Sequence, residues 1–420
     1  MMLSNNQRVK MGCYITNVSM AVVGNFSPLL FLTFRQNYGI SYSLLGLLIL
    51  VNFVTQLSID LVFSFFSHKF NIALAVKLTP VITVLGLIVY AVFPWLFPSQ
   101  AYIGILIGTI IFAMAGGLSE VLISPVIAKL PSDNPEREMS KLHSIYAWGV
   151  VLVVVVATAY FLLVGRDNWQ YLALLLAIVP LIAGLFFLSS KIPEMDTPEK
   201  TSGALALLKN KQIWLCVFAI FLGGASEVSM AQWSSSYLEQ ALGIPKVWGD
   251  IFGVALFALT LGLGRSLYAK YGKNIERFLL FGAIGATVCY FVASVSNIAI
   301  LGLIACALTG FCVSMLWPGS LIVASDRFPQ GGVFIFALMA SGGDLGASVG
   351  PQLIGVVTDA VTASASMANL AQGWDLTVEQ LGMKMGMLVG MLFPLMAIFV
   401  YIAILKTKNK QALPISLDKE

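Results

Sequence analysis

Four carboxylates, Asp60, Glu120, Glu227 and Asp344, lie inside long apolar stretches of this 420-residue sequence. Placing a charged side chain at the centre of a membrane helix costs about 2.5–3.5 kcal/mol on insertion scales. Such residues mark solute pathways and proton relays in membrane proteins. We therefore expect these four positions to carry chemistry rather than packing alone.

Asp60 ends a polar series in which Asn52, Gln56 and Asp60 recur every four residues. On a helix this spacing puts all three on one face. That face can line an aqueous cavity. Alternatively Asp60, which is close to the end of its apolar stretch, pairs with a nearby Lys or Arg as the latch of a gate.

Glu120 has Gly116, Gly117 and Ser124 on or beside its face of the helix. These small residues allow a neighbouring helix or a solute to approach closely. We predict that Glu120 takes up and releases a coupling proton, with Asp60 as a second candidate. The alternative is a structural hydrogen bond to the segment 143–148.

Near Glu227, the residues Ser229, Trp233 and Tyr237 form a stripe at four-residue spacing, in which polar and aromatic side chains share one face of the helix. Such a stripe suits a sugar, which has apolar faces and polar edges, although the two aromatic residues could instead mark the membrane interface. The candidate solute contacts are Asn25, Asn52, Gln56, Glu227, Gln232, Trp233 and Trp317.

Asp344 lies on a small-residue face, which we expect to pack against the fifth or eighth helix. In the eighth helix Arg265 is a potential partner. We predict that His143, Arg265 and Asp344 act in gating.

The elements that position these residues are membrane helices. Hydrophobic residues make up 58% of the chain and charged residues 10%, against roughly 25% charged in a soluble domain. Several apolar runs exceed the ~20 residues needed to cross a bilayer. We predict twelve helices, near residues 12–34, 42–67, 72–94, 101–129, 142–164, 168–189, 212–238, 247–270, 276–295, 298–325, 331–359 and 379–405.

The polar segment 190–211 divides the chain into an amino-terminal six-helix bundle (1–189) and a carboxy-terminal bundle with a short tail (212–420). All but four of the 24 Lys and Arg residues fall on one predicted side of the membrane. Basic residues concentrate in cytoplasmic loops, which predicts a multi-pass protein of the cell membrane with both termini in the cytoplasm. The four exceptions are Arg35, Arg166, Lys246 and Lys384.

Several function classes lack their signatures. The sequence contains no GxxxxGK[ST] phosphate loop, no HExxH or GxSxG motif and no TVGYG filter. The five cysteines form no CxxC pair, which indicates packing residues rather than metal ligands. We therefore predict that the protein is not an enzyme, has no catalytic residue and no metal site, and does not bind nucleic acid.

The whole chain resembles the major facilitator superfamily, with six plus six helices and a central linker. Within that superfamily, GGASEVSMAQWSSSYLEQALG followed by LGLGRSLYAKYG looks like the seventh and eighth helices of the fucose, galactose and glucose permeases. The segments NPEREMSKLHSIYAWG and FCVSMLWPGSLIVASDRFP look like their fifth and tenth helices.

This resemblance implies an all-α fold of two six-helix bundles and a cation-coupled, usually proton-coupled, sugar symporter. Glu120 matches the acid of the fourth helix in the fucose permeases. Their first-helix acid has no counterpart here, where Asn17 and Asn25 stand instead, and Asp60 is a potential replacement. The loop between helices 2 and 3, FSFFSHKFNIAL, also departs from the superfamily's G-x-x-x-D-R-x-G-R pattern.

We therefore expect a secondary active transporter that imports a sugar or related polar metabolite by proton symport and alternating access. It would use no cofactor beyond the coupling ion, contact membrane lipid and function as a monomer. The rival hypotheses are an exporter of drugs or metabolites and, more remotely, a nutrient receptor that does not transport.

Overall fold

The computed structural model describes residues 3–66, 69–132, 135–194, 208–328 and 332–411, and within these ranges it contains helices and no β-strand. We number twelve membrane helices in chain order and write two ranges where a helix is interrupted. They are α1 (Asn5–Leu29, Phe31–Tyr38), α2 (Tyr42–Phe66), α3 (Ile72–Leu96), α4 (Ala101–Lys129), α5 (Pro135–Leu163), α6 (Trp169–Leu176, Ile178–Leu188), α7 (Lys211–Leu242), α8 (Lys246–Gly249, Asp250–Ala255, Leu256–Tyr271), α9 (Ile275–Val295), α10 (Ala299–Val313, Leu316–Arg327), α11 (Gly332–Thr362) and α12 (Val378–Gly390, Leu392–Gln411).

Length and hydropathy support the membrane assignment. In the described ranges nine helices are long and apolar enough to cross a bilayer, and bent pairs at α1 and at the end of α11 raise this to as many as eleven. The remaining helix, α5, carries a shorter apolar section, Trp148–Leu163. The predicted all-α fold of two six-helix bundles is confirmed.

Four of the odd-numbered helices begin with a polar cap at the same face of the molecule. The side chains of Ser4, Asn71, Asn210 and Asn274 accept hydrogen bonds from the first turns of α1, α3, α7 and α9. A side-chain acceptor satisfies one of the free N–H groups at a helix start. We call this face, where α1 begins and α12 ends, the terminal face, and its counterpart the opposite face.

Helices α7 and α11 pack closely through small residues. A Cβ atom at Gly346 of α11 would overlap the carbonyl oxygen of Phe221 in α7. Glycine is needed where two helix backbones approach this closely. The contact fixes α11 on α7 and so sets the position of Asp344, half a turn before Gly346.

The two halves, α1–α6 and α7–α12, meet along α2 and α11 and are joined at the opposite face. Asp359 of α11 accepts hydrogen bonds from the backbone N–H groups of Tyr42 and Ser43 at the start of α2. Arg166, after α5, forms an ion pair of 3.3 Å with Glu239 of α7. These contacts close the opposite face.

Some local features differ from the predicted helices. Residues Asp250–Ala255 of α8 form a π-helical segment, α10 is interrupted at residues 314–315, and a short helix, Ala365–Gly373, follows α11 after a bend of 84°. The buried Lys246–Asp250 ion pair and the Ser235 hydroxyl hold the start of the π segment against α7. The predicted linker 190–211 and its division of the chain lie largely outside the described residues.

Candidate functional site: a central cavity and a carboxylate cluster

A cavity of about 150 Å³ lies between the two halves. Both halves contribute polar side chains to it, together with apolar ones such as Met20, Phe53 and Phe257. Five of the seven predicted solute contacts line this cavity, namely Asn25, Asn52, Gln56, Glu227 and Gln232.

Glu227 in the cavity wall is paired with Arg265. The Arg265 Nη2 atom lies 3.2 Å from Oε1 and 3.4 Å from Oε2 of Glu227, and Nε donates to the carbonyl oxygen of Ser314 at 3.0 Å. The guanidinium group thus joins α7, α8 and the interruption in α10. Because the pair is neutral overall, it presents hydrogen-bonding groups to the cavity without net charge.

The cavity opens toward the terminal face. Glu120, Tyr146 and Arg265 are solvent-exposed although each lies within the helix bundle. All three belong to the terminal-face halves of their helices, α4, α5 and α8. Among the described residues, Asp359 and the Arg166–Glu239 pair close the opposite face, and the cavity is open at the terminal face.

Asp60 of α2, Glu120 of α4 and Asp344 of α11 form a cluster next to the cavity. One carboxylate oxygen from each lies within 4.8 Å of the other two. Asp60 and Asp344 are buried, whereas Glu120 is exposed. The cluster is one helical turn from the cavity on the terminal-face side, since Gln56 and Gly116, which line the cavity, precede Asp60 and Glu120 by four residues.

Small residues allow this convergence. A Cβ atom at Gly117 of α4 would lie 3.1 Å from Oδ1 of Asp60 and closer still to the backbone of α2 at Gln56. The absence of a side chain at position 117 therefore brings α2 against α4. On α11 the ring of Trp317 lies over Gly343, next to Asp344.

Three ionised carboxylates at this separation would repel one another strongly. Each pair of unit charges 4.8 Å apart costs about 3–4 kcal/mol at an effective dielectric constant of ~20. Among the described residues, Oδ1 of Asp60 and Oδ2 of Asp344 accept no hydrogen bond. The arrangement suits carboxylates that share a proton or a hard cation, for which oxygen ligands are preferred.

Several predicted site residues lie elsewhere. Trp233 is fully buried, donates to the carbonyl oxygen of Pro351 at 2.9 Å, and packs against Phe31 and Tyr42 of the other half. It therefore joins the halves and is not among the described residues that line the cavity; nor is Trp317. The side chain of His143 lies outside the described part of the chain.

Arg265 was a potential partner of Asp344. In the structure Arg265 binds Glu227 instead, and Asp344 lies beside Asp60 and Glu120. Asn52 and Gln56 line the cavity, whereas Asp60 lies one turn further along α2 in the carboxylate cluster. Tyr146, which no sequence pattern singled out, lines the cavity together with Asn25 and Glu227.

Comparison with known proteins agrees with the fold, which is that of a polytopic helical membrane protein. The sequence profile of the Major Facilitator Superfamily matches residues 13–351. The chain belongs to this superfamily. No curated protein sequence matches it.

Solved structures share the fold at low sequence identity. A bacterial homologue of the human lysosomal transporter Spinster, in an inward-facing and unoccupied conformation, is 13% identical with a TM-score of 0.75, over 99% of this chain and 100% of that one. The nucleoside transporter NupG is 12% identical (TM-score 0.71; 96% and 100% covered). A D-xylose–proton symporter is 16% identical (TM-score 0.68; 94% and 96% covered).

Proposed function

We propose that this protein is a proton-coupled symporter that imports a sugar or a related small polar metabolite. The observation that carries the proposal is the proximity of two features. A cavity with amide, hydroxyl and carboxylate groups from both halves lies one helical turn from a cluster of carboxylates. A solute site next to a proton site is what coupled transport requires.

The cavity lining supports a neutral polar solute. Asn25, Asn52 and Gln232 offer amide groups, and Oδ1 of Asn52 is buried without a hydrogen-bond partner among the described residues. The aromatic rings of Phe53 and Phe257 offer flat apolar surfaces. A sugar has hydroxyl groups for the amides and apolar ring faces for the aromatic residues.

Glu120 is the favoured proton acceptor, with Asp60 beside it. Glu120 is the exposed member of the cluster, so a proton can reach it from the open cavity. The D-xylose–proton symporter has the same fold, which supports proton coupling as a hypothesis for this chain. Membership of the fucose, galactose and glucose permease branch belongs to the same proposal.

The bias of basic residues toward the terminal face supports a cytoplasmic location for that face. The conformation described here is then inward-facing. Transport by alternating access would require the contacts of Asp359 with α2, the Arg166–Glu239 pair and the Gln232–Gly24 hydrogen bond to break as the opposite face opens. A functional monomer is sufficient for this scheme.

The test begins with thermal stabilisation of the purified full-length protein by hexoses, pentoses, deoxyhexoses, nucleosides and amino acids, with and without sodium. A ligand that binds the folded state raises the melting temperature. The best ligand is then used, radiolabelled, in proteoliposomes with an imposed pH gradient. Stabilisation by a sugar and accumulation driven by the gradient would support the proposal.

An exporter of amphipathic compounds is the second candidate, and the apolar lining by Met20, Phe53, Phe257 and Leu261 favours it. The two proposals differ in their ligands and in the direction of flux. Stabilisation by hydrophobic cations, together with solute movement opposite to the proton gradient, would reject the importer and support the exporter.

A further inference from the structure

Asp344 is the member of the carboxylate cluster that comes from the second half. Asp60 and Glu120 belong to α2 and α4 of the first half, whereas Asp344 belongs to α11. An ion held by all three carboxylates would therefore touch both halves. A site formed by Asp60 and Glu120 alone would touch only the first half.

The surroundings of Asp344 leave it dependent on this cluster. The side chain is 3% exposed and its Oδ2 atom accepts no hydrogen bond from the described residues. Glu120 and Asp60 lie beside it, each with a carboxylate oxygen within 4.8 Å. Four other charged groups on the helices packed against α11 have partners of their own: Glu227 of α7 binds Arg265, Glu239 of α7 binds Arg166, Arg327 of α10 binds Thr407 and the Ile404 carbonyl, and Lys384 of α12 binds the Ser296 carbonyl.

The burial of Asp60 and Asp344 has an energetic consequence. A buried carboxylate without a partner is costly, and a second and third negative charge nearby raise that cost. A cation shared by the cluster removes both penalties and holds α11 against α2 and α4. Loss of that cation leaves charges that push α11 away from them.

We propose that Asp344 completes the coupling site, so that the coupling cation is bound between the two halves and its occupancy controls how closely α11 packs against α2 and α4. This proposal rests on the proposed function for the identity of the cation as a proton. Its geometry does not depend on which solute is carried.

The test measures the distance between the halves without using a solute. Spin labels are attached at Phe70→Cys, in the loop after α2, and at Lys273→Cys, in the loop between α8 and α9, both exposed at the terminal face. Cys312, the one native cysteine that is not buried, is replaced by alanine. Distances are recorded by pulsed electron paramagnetic resonance as the buffer is changed from mildly acidic to mildly alkaline.

The protein without further substitutions should shift toward longer distances at alkaline pH, and Asp344→Asn should lose this shift. Asp344→Glu, which keeps the carboxylate, should retain it. Asp375→Asn, a matched removal of an exposed carboxylate in the loop before α12, should also retain it. Glu120→Gln should lose the shift as well, which keeps the test valid if Asp344→Asn fails to fold.

The outcomes separate this proposal from the proposed function. An unchanged pH response in Asp344→Asn, or no response to pH or sodium before substitution, would overturn it. A response to sodium at constant pH that disappears in Asp344→Asn would support the shared site and reject the proton as its ion. A response that depends on Asp344, in a protein that binds no sugar, would support this site and reject the sugar assignment.

Discussion

The carboxylate of Asp359, near the end of α11, accepts a hydrogen bond of 2.6 Å from the backbone N–H of Ser43 at the start of α2. Its other oxygen accepts one of 3.0 Å from the N–H of Tyr42. A side chain of one half thus caps a helix of the other. Separation of the halves at the opposite face would break this cap, so we expect its energy to stabilise the closed opposite face.

Removing this cap should favour opening at the opposite face. Loss of a capping acceptor costs about 1 kcal/mol, so Asp359→Ala should raise the population of the open conformation about fivefold. The measurement is the reaction rate of a cysteine at Ala231, in the cavity wall, with an impermeant maleimide added from the opposite face. Glu239→Gln is the comparison, because its ion pair is partly exposed and should contribute less. Equal maleimide reaction rates for the original protein, Asp359→Ala and Glu239→Gln would contradict the capping role of Asp359.

Glu120→Gln should separate transport from coupling. The amide keeps the shape of the side chain and cannot release a proton, so accumulation driven by a pH gradient should fall to the level of facilitated diffusion. Exchange of labelled for unlabelled solute across proteoliposomes at equal pH should continue. Gradient-driven accumulation at the original level would reject Glu120 as the coupling residue.

Arg265→Lys should weaken solute binding although it conserves the charge. A lysine has one ammonium group and cannot reproduce the planar contacts with Glu227 and Ser314. Hydrogen bonds to charged groups are worth about 1.5–3 kcal/mol, and the exposure of Arg265 reduces this, so we expect affinity to fall about three- to tenfold. Titration of the best ligand by calorimetry measures it. Unaltered affinity would show that the pair does not organise the cavity.

Gly346→Ala should destabilise the protein, because the added methyl group overlaps the Phe221 carbonyl and forces α7 and α11 apart. Overpacking of this kind costs about 1–3 kcal/mol. Gly262→Ala in α8 is the matched control, since a Cβ atom there has no described neighbour within 4 Å. The melting temperature in detergent should fall for Gly346→Ala and stay unchanged for Gly262→Ala.

Glu138, near the start of α5 outside its apolar section, should contribute stability that depends on pH. Hydrogen bonds from the Tyr14 hydroxyl (2.5 Å) and the Lys10 ammonium group lower the pKa of Glu138 from 4.5. A lowered pKa in the folded state stabilises the protein above the unfolded value, and the contribution disappears as pH falls through the folded value. Glu138→Gln should therefore have a lower melting temperature than the original protein at neutral pH, and the difference should shrink as the pH falls below 4.5 and vanish below the lowered pKa of the folded state.

The extent of the helices could be predicted from the sequence because hydropathy reports directly on burial in lipid. The predicted range 42–67 corresponds to Tyr42–Phe66, and 101–129 to Ala101–Lys129. The π-helical segment of α8 could not be predicted in this way. It depends on the buried Lys246–Asp250 pair and Ser235, which is a tertiary arrangement.

Individual residues of the cavity wall and of the carboxylate cluster were identifiable from the sequence, whereas their partners and the absence of Trp233 and Trp317 from the described cavity lining were not. Hydropathy identifies a charge inside a helix, whereas its partner depends on the rotation of that helix and on its neighbours. The depth of each carboxylate within its helix is one sequence signal that indicates the cluster. Asp60 and Glu120 lie 18 and 19 residues after the starts of their helices (60 − 42 and 120 − 101), and Asp344 lies 18 residues before the end of α11 (362 − 344). All three are thus about 27 Å from the opposite face at 1.5 Å per residue.

The position of the carboxylate cluster between the cavity and the open side has a consequence for selectivity. In the proposed scheme, a solute that moves between the cavity and the terminal face passes Glu120, the exposed member of this cluster, while the nearby Arg265 is paired with Glu227. Such a passage repels anions and admits neutral molecules. Under the proposed function, a sugar phosphorylated after its release would be repelled from this passage, so phosphorylation on that side would make its import irreversible.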